Sequence, residues 1–226
     1  MRIIRKILFL ALAVTLASGL ISCSGKPASQ SSETSLSDHT TQLPSTTGNE
    51  SSESFETMKD NPFGKAVVVY FSCTGTTKSV ALKIASTAGC PNYEIVPSKP
   101  YSEDDLNYKN KKSRASKEQN DVKARPEIEG DIAGWSSYDT VFIGYPIWFA
   151  KAPKILCTFV ENHDFTGKKV IPFCTSGSSG IGNSAAELSA IAKNGGKWMS
   201  GTRFSSSVSD KDISEWLDAL KETVVS

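Results

Sequence analysis

The segment Ser72-Cys73-Thr74-Gly75-Thr76-Thr77 gathers four hydroxyl side chains around one glycine. Hydroxyl donors, and a glycine that lets the backbone come close, suit a doubly charged anion such as a phosphate monoester. If the segment leads from a strand into a helix, the first amides of that helix have no partner within it and point at the same place. No lysine is needed. The segment lacks the Gly-Lys-Ser/Thr ending of a Walker loop and the three spaced glycines of a dinucleotide fingerprint. By its residues alone it fits a polar turn, with Thr76 or Thr77 capping a helix, as well as it fits an anion cradle. Two further segments carry chemistry. Pro146-Ile147-Trp148 follows Gly144-Tyr145 and offers an apolar, flat face that would stack on a planar aromatic ligand. Trp148 would otherwise be a core residue, but its place after a Tyr-Pro turn favours ligand contact. Thr175-Ser176-Gly177 runs on through Gly180 and Gly182 to Asn183 without an aromatic residue, so its amides can approach the edge of a planar ring. The plainer reading is a surface loop.

The elements around these segments alternate. Ala66 to Phe71 is a continuous apolar, β-rich run, as expected of a strand covered on both faces. Ser79 to Ala88 has helical spacing, and Tyr93 to Val96 makes a short strand after Gly89-Cys90-Pro91. Ser98 to Gly130 is polar and lysine-rich, a long and partly helical excursion over the surface. Arg114 and Arg125, within it, read as part of a solvated charged face. Tyr138 to Gly144 is a buried strand, and Pro153 opens a helix through Val160. Lys168 to Thr175 is a strand, Ser184 to Lys193 a helix, and Lys197 to Ser205 a last strand. A final helix, Asp210 to Val224, carries Ile213, Trp216, Leu217 and Leu220 on one face, with Asp210 as its cap. Tyr145 and Trp198 read as packing residues. Five strands alternating with helices predict an α/β fold, a doubly wound five-stranded parallel sheet with helices on both faces. Ligands of such sheets bind beyond the carboxyl ends of the strands, where the winding reverses. The three chemistry-bearing loops all follow strands and would meet at that edge.

The chain before this domain reads differently. Residues 1–22 have a basic start (Arg2, Arg5, Lys6) and an uncharged apolar run from Ile7 to Leu20, the pattern of an export signal. An uncleaved membrane helix is the alternative. Leu20-Ile21-Ser22-Cys23 resembles the lipobox of bacterial lipoproteins, which implies cleavage before Cys23 and lipidation of that residue. From Ser24 to Thr57, sixteen of thirty-four residues are Ser or Thr. So polar a stretch has too little to bury, and residues 23–62 are expected to form a flexible tether spanning on the order of 30 Å. Residues 63–226 hold 20 Lys and Arg against 18 Asp and Glu, which is not the basic balance of a nucleic-acid binder. Cys73, Cys90, Cys157 and Cys174 show no CxxC spacing and no neighbouring His to suggest zinc, and read as small packed thiols.

Ser72-x-Thr74-Gly75-x-Thr77 at the end of an apolar first strand resembles the flavodoxin signature. Ile143-Gly144-Tyr145-Pro146-Ile147-Trp148 and Pro172-Phe173-Cys174-Thr175-Ser176-Gly177 are similar, in order, to segments of a bacterial flavodoxin-like family. The resemblance implies FMN as cofactor, with its phosphate at Ser72, Thr74, Gly75, Thr76 and Thr77, and its ring between Pro146, Ile147, Trp148 and the loop of Thr175, Ser176, Gly177 and Gly180. It also covers Ser113-Arg114 and Arg125-Pro126, which implies a place over the flavin mouth. The net charge departs from the strongly acidic surface usual in soluble flavodoxins. An exported, lipid-anchored electron carrier is the first reading, with a redox partner protein or a small quinone as its counterpart. An FMN-dependent NAD(P)H or quinone reductase is the alternative. Pro146 fixes its own φ and restricts Tyr145, so a peptide reorientation within this turn is hindered, which keeps two-electron chemistry in contention. A flavin-free hydrolytic module is weak, since no nucleophile with a base surrounds the first loop and His163 is the only histidine after residue 62.

Overall fold

Ala66 to Tyr70 has no polar face, and all five side chains are buried in strand β1 (Ala66–Tyr70). The structure, a computed structural model, describes residues 61–224, the side chain of Val224 excepted. The export signal, Cys23 and residues 23–60 of the expected tether lie outside the described residues. Strand β1 leads into helix α1 (Thr76–Ala88), which starts three residues before the expected Ser79. Strand β2 (Asn92–Glu94) then lies parallel to β1. After an excursion the chain returns as β5 (Thr140–Pro146), α3 (Lys154–Asn162), β6 (Lys169–Thr175) and α4 (Ser184–Ile191). The last strand comes in two pieces, β7 (Lys197–Trp198) and β8 (Thr202–Phe204), before α5 (Asp210–Val224). The main sheet runs β2-β1-β5-β6-β7, all parallel, with β8 also beside β6.

Alternation sorts the core into two layers. Val67, Val69, Val141, Ile143 and Val170 pack against Ile155, Leu156 and Phe159 of α3 and Leu188 of α4. Val68, Tyr70, Phe142, Ile171 and Phe173 pack on the other face against Val80, Ala81 and Ile84 of α1 and Ile213 and Leu217 of α5. The helices thus cover both faces of the sheet, as its apolar strands require. Winding reverses between β1 and β5, the central strand.

Four boundaries differ from expectation for identifiable reasons. Val96 leaves the sheet and, with Pro97, forms β3 (Val96–Pro97), an antiparallel ribbon with β4 (Ile128–Glu129). Pro97 has no N–H for a ladder. The expected strand from Lys197 to Ser205 is broken because Pro172 of β6 has no amide to give: Val170 faces Trp198 and Phe173 faces Thr202, so one extra residue bulges out between them. Gly201 occupies that bulge, where a Cβ would lie 2.3 Å from the side chain of Ile181. Pro153 precedes α3 as its cap instead of standing in its first turn. Ser209, not Asp210, caps α5: its hydroxyl accepts from the Asp212 amide at 3.1 Å while the Asp212 carboxylate accepts from the Ser209 amide at 3.0 Å.

The excursion is fastened at both ends. Ribbon β3–β4 closes it, and α2 (Arg114–Asn120) lies within it, capped by Ser113. Arg114 and Arg125 do not lie on a solvated charged face. The Arg114 guanidinium stacks 3.9 Å over the Tyr101 ring and donates to Glu118 at 2.6 Å. Arg125 forms a two-pronged pair with Glu161 of α3, both contacts 2.6 Å. Among the described residues no helix is long and apolar enough to cross a membrane.

Candidate functional site

Phe71 ends the first apolar run, and its amide donates to the Gly144 carbonyl at 2.9 Å. Beyond it the chain leaves the sheet. Gly75 takes φ 85°, a left-handed value that glycine adopts without strain, and sets the start of α1 with no side chain capping it. The amides of Ser72 through Lys78 make no hydrogen bond among the described residues; the next amide, that of Ser79, donates to the Gly75 carbonyl at 2.9 Å. No acidic residue stands in the first turn of α1. A run of unpaired donors at a positive helix end, uncancelled by a carboxylate, is an anion site.

These residues line a cleft of about 660 Å³ at the carboxyl edge of the sheet. Ser72, Thr74, Thr76, Thr77, Pro146, Ile147, Trp148, Thr175, Ser176 and Gly177 all border it, so the three loops singled out in the sequence do meet. Gly75 and Gly180 are not on its lining. Gly75 acts through the turn it makes, and Gly180 lies exposed further along its loop. Thr77 is also not a free hydroxyl donor. It is buried, and its Oγ1 lies 2.8 Å from Oγ1 of Thr175, so the two hydroxyls satisfy each other in part.

Trp148 is half-buried, its ring edge-on to Phe71 at 5.5 Å and to Tyr101 at 5.3 Å. It therefore belongs to an aromatic cluster and to the cleft wall at once. Its backbone exchanges two hydrogen bonds of 2.9 Å with Lys151, closing a tight turn in which Phe149 and Ala150 have φ 50° and 63°. Neither is glycine, so the turn is strained, and Gln119 of α2 holds it by donating to the carbonyls of Trp148 and Ala152 at 3.0 and 3.1 Å. The Ile147 amide donates to the Thr175 carbonyl at 3.0 Å, which ties the second loop to the third. Gly144 is needed beneath them, because a Cβ there would sit 2.1 Å from the Phe173 ring.

Sequence reasoning missed part of the wall. Leu106, Tyr108 and Ala115 come from the excursion, Phe149 and Ala150 from the strained turn, and Ser206 from the loop after β8. The rule that loops after strands meet at one edge would have found Ser206; nothing in the lysine-rich excursion marks Tyr108. Cys73 also faces the cleft, but burial pushes its thiol up to about 12, so it stays protonated and is no nucleophile at neutral pH. All four described cysteines are free, Cys174 buried and the others half-buried. Tyr145 is a packing residue, fully buried with its hydroxyl 3.1 Å from Ser184 Oγ, and burial raises its pKa. Trp198 likewise packs against the core. Chemically the cleft can hold an anion at one end and a flat, partly apolar ring between an aromatic wall and a loop of small residues.

Residues 65–220 match the family model described as flavodoxin. A protein of Bacteroides eggerthii DSM 20697, provisionally assigned as a flavoprotein, is 45% identical; its crystal structure aligns with TM-score 0.63 over 69% of this chain and 96% of that one. A similar protein of Bacteroides uniformis ATCC 8492, assigned in the same way, is 41% identical, with TM-score 0.64 over 68% and 97% of the two chains. A Lactobacillus acidophilus NCFM flavoprotein solved in complex with FMN is 22% identical and shares the fold, with TM-score 0.52 over 68% and 98%. Comparison with curated protein sequences finds no match. Since the family match runs through every strand of the sheet and the loops that form the cleft, this chain belongs to the flavodoxin family.

Proposed function

We propose that the cleft binds FMN and that the protein transfers electrons through it, held at the outside of a bacterial membrane by a lipid on Cys23. The observation that carries the cofactor reading is the run of unpaired amides from Ser72 to Lys78 at the start of α1, with no carboxylate in the first turn. That arrangement fits a phosphate monoester, and the cleft beside it fits a flat ring. FMN supplies the redox chemistry when bound. The protein's part is to bind and orient. The amides of the first loop, with the hydroxyls of Ser72, Thr74 and Thr76, hold the phosphate; Ile147 and Trp148 give the ring an apolar wall; the loop of Ser176 and Gly177 meets its polar edge. With Pro146 rigid and the Ile147 amide tied to Thr175, this wall does not reorganise around the ring. No side chain of the cleft is needed as an acid or base.

Titration of the protein with FMN and with riboflavin tests this reading. FMN should bind far more tightly, and Thr74→Ala or Thr76→Ala should each narrow the difference by about 1.5–3 kcal/mol, the worth of a hydrogen bond to a charged group. Equal affinity for the two flavins would sink it. A second reading, an FMN-dependent NAD(P)H or quinone reductase, is favoured by one observation: Tyr108 and Phe149, 71% and 47% exposed, add apolar surface to the cleft beyond the Trp148 wall. Rapid NAD(P)H oxidation with added quinone would decide for the enzyme over a carrier serving a partner protein. The anchor has its own test. Cys23→Ser should move the protein from the membrane to the soluble fraction; retention on the membrane with the leader cleaved would contradict it.

A further inference from the structure

Arg203 stands in β8 opposite Cys174 of β6 and reaches under the third loop. Its Nη2 donates to the carbonyls of Ser176 and Gly177 at 2.7 and 2.9 Å, and its Nε donates to Ser176 Oγ at 3.3 Å. Ser176 Oγ in turn donates to the Ser179 carbonyl. In a planar trans peptide the C=O and the N–H point in opposite directions. With the carbonyls of residues 176 and 177 drawn onto the guanidinium, the amides of Gly177 and Ser178 are turned the other way. Neither amide makes a hydrogen bond among the described residues, and Ser176, Gly177 and Ser179 border the cleft.

The charge on Arg203 is also unlike that of the other two described arginines. Arg114 is paired with Glu118 and Arg125 with Glu161, whereas Arg203 forms no ion pair among the described residues. It is a fixed, uncompensated cation directly behind a loop whose free donors face away from it.

Resting on the FMN reading above, we propose that Arg203 is a positioning residue: it presets the Gly177 and Ser178 amides as donors to the pyrimidine edge of the flavin, and its charge favours the reduced flavin. A flavin bound there and reduced by two electrons from a redox dye, with one proton from solvent, would carry one negative charge on its ring, and a fixed cation behind the loop would stabilise that form relative to the neutral oxidised ring.

The experiment compares the full-length chain with Arg203→Met and Arg203→Lys. Affinities for FMN and for lumiflavin, which has the ring without the ribityl phosphate, are read by fluorescence quenching. The midpoint potential of the FMN-loaded protein is read by dye equilibration. Arg203→Met should weaken FMN and lumiflavin alike, by about tenfold, and lower the potential. The preference for FMN over riboflavin should persist, since the first loop is untouched, and its persistence reports an intact fold. Arg203→Lys keeps the charge without the two-carbonyl grip, so the potential should return toward wild type while affinity stays reduced. Unchanged ring affinity and potential in Arg203→Met would overturn this inference alone. Failure of the wild-type chain to bind FMN would overturn the cofactor reading and this inference with it.

Discussion

The hydroxyls of Thr77 and Thr175 meet at 2.8 Å across 98 positions of sequence, at the place where the first and third loops approach each other. Both residues are buried, so each hydroxyl depends on the other. Thr77→Val should therefore lower stability by about 1–3 kcal/mol, because it strands the Thr175 hydroxyl in the interior. Adding Thr175→Val removes the stranded group and should recover much of that loss. Urea denaturation of the three proteins measures it, and a double variant no more stable than the single one would speak against the pairing. The sequence shows why this was hard to read. Thr77 sits in a row of hydroxyl residues that all look like ligand donors, and only a partner brought in by the sheet distinguishes it from Thr74 and Thr76. Ser72, Trp148 and Gly177 were legible because they stand immediately after strands, where the sheet can deliver them only to one edge.

At the scale of elements, apolar runs such as Ala66 to Tyr70 marked the strands well, since burial on both faces leaves no room for polar residues. The two-piece last strand was not legible within its own residues; its cause is Pro172 on the neighbouring strand. The excursion is polar and reads as surface, yet Arg114 holds it together from within, through Tyr101 and Glu118, and Arg125 fastens it to α3. Arg125 grips Glu161, and that hydrogen bond, more than the charge itself, holds the Glu161 carboxyl below its ordinary 4.5. A depressed carboxyl contributes its full stabilisation above the ordinary value and loses it as pH falls through the lower, folded one. The pair is partly exposed and contributes about 1 kcal/mol or less. Hydrogen exchange in α2 should thus accelerate below about pH 4.5 beyond the intrinsic trend. Glu161→Gln should show faster exchange already at neutral pH and lack the extra acid step. An identical acid step in that variant would mean that another group controls the excursion.

Over the molecule as a whole, Asn61, which the sequence assigns to the tether, is fastened to the residues that follow it. The Asn61 carbonyl accepts from the Gly64 amide at 2.8 Å, and its side chain accepts from the Phe63 amide at 3.0 Å. Phe63 is buried, with its ring 5.2 Å from that of Phe142 in an edge contact. A chain starting at Asn61 should unfold in urea as the full chain does. One starting at Lys65 should lose about 3–5 kcal/mol, the usual cost of deleting a buried phenyl ring. Equal stability of the two would show that the turn is dispensable. The Asn61 amide also reaches the Ala88 carbonyl at the far end of α1, and Asn61 shares a surface hollow with Lys221 near the end of α5. Both ends of the described segment therefore emerge at the amino edge of the sheet, one strand length, about 17 Å, from the edge that carries the cleft. An electrode, a bead or a fusion partner joined directly at Asn61 or just beyond Lys221 would stand at the edge opposite the cleft, and the mouth of the cleft would stay open to solution.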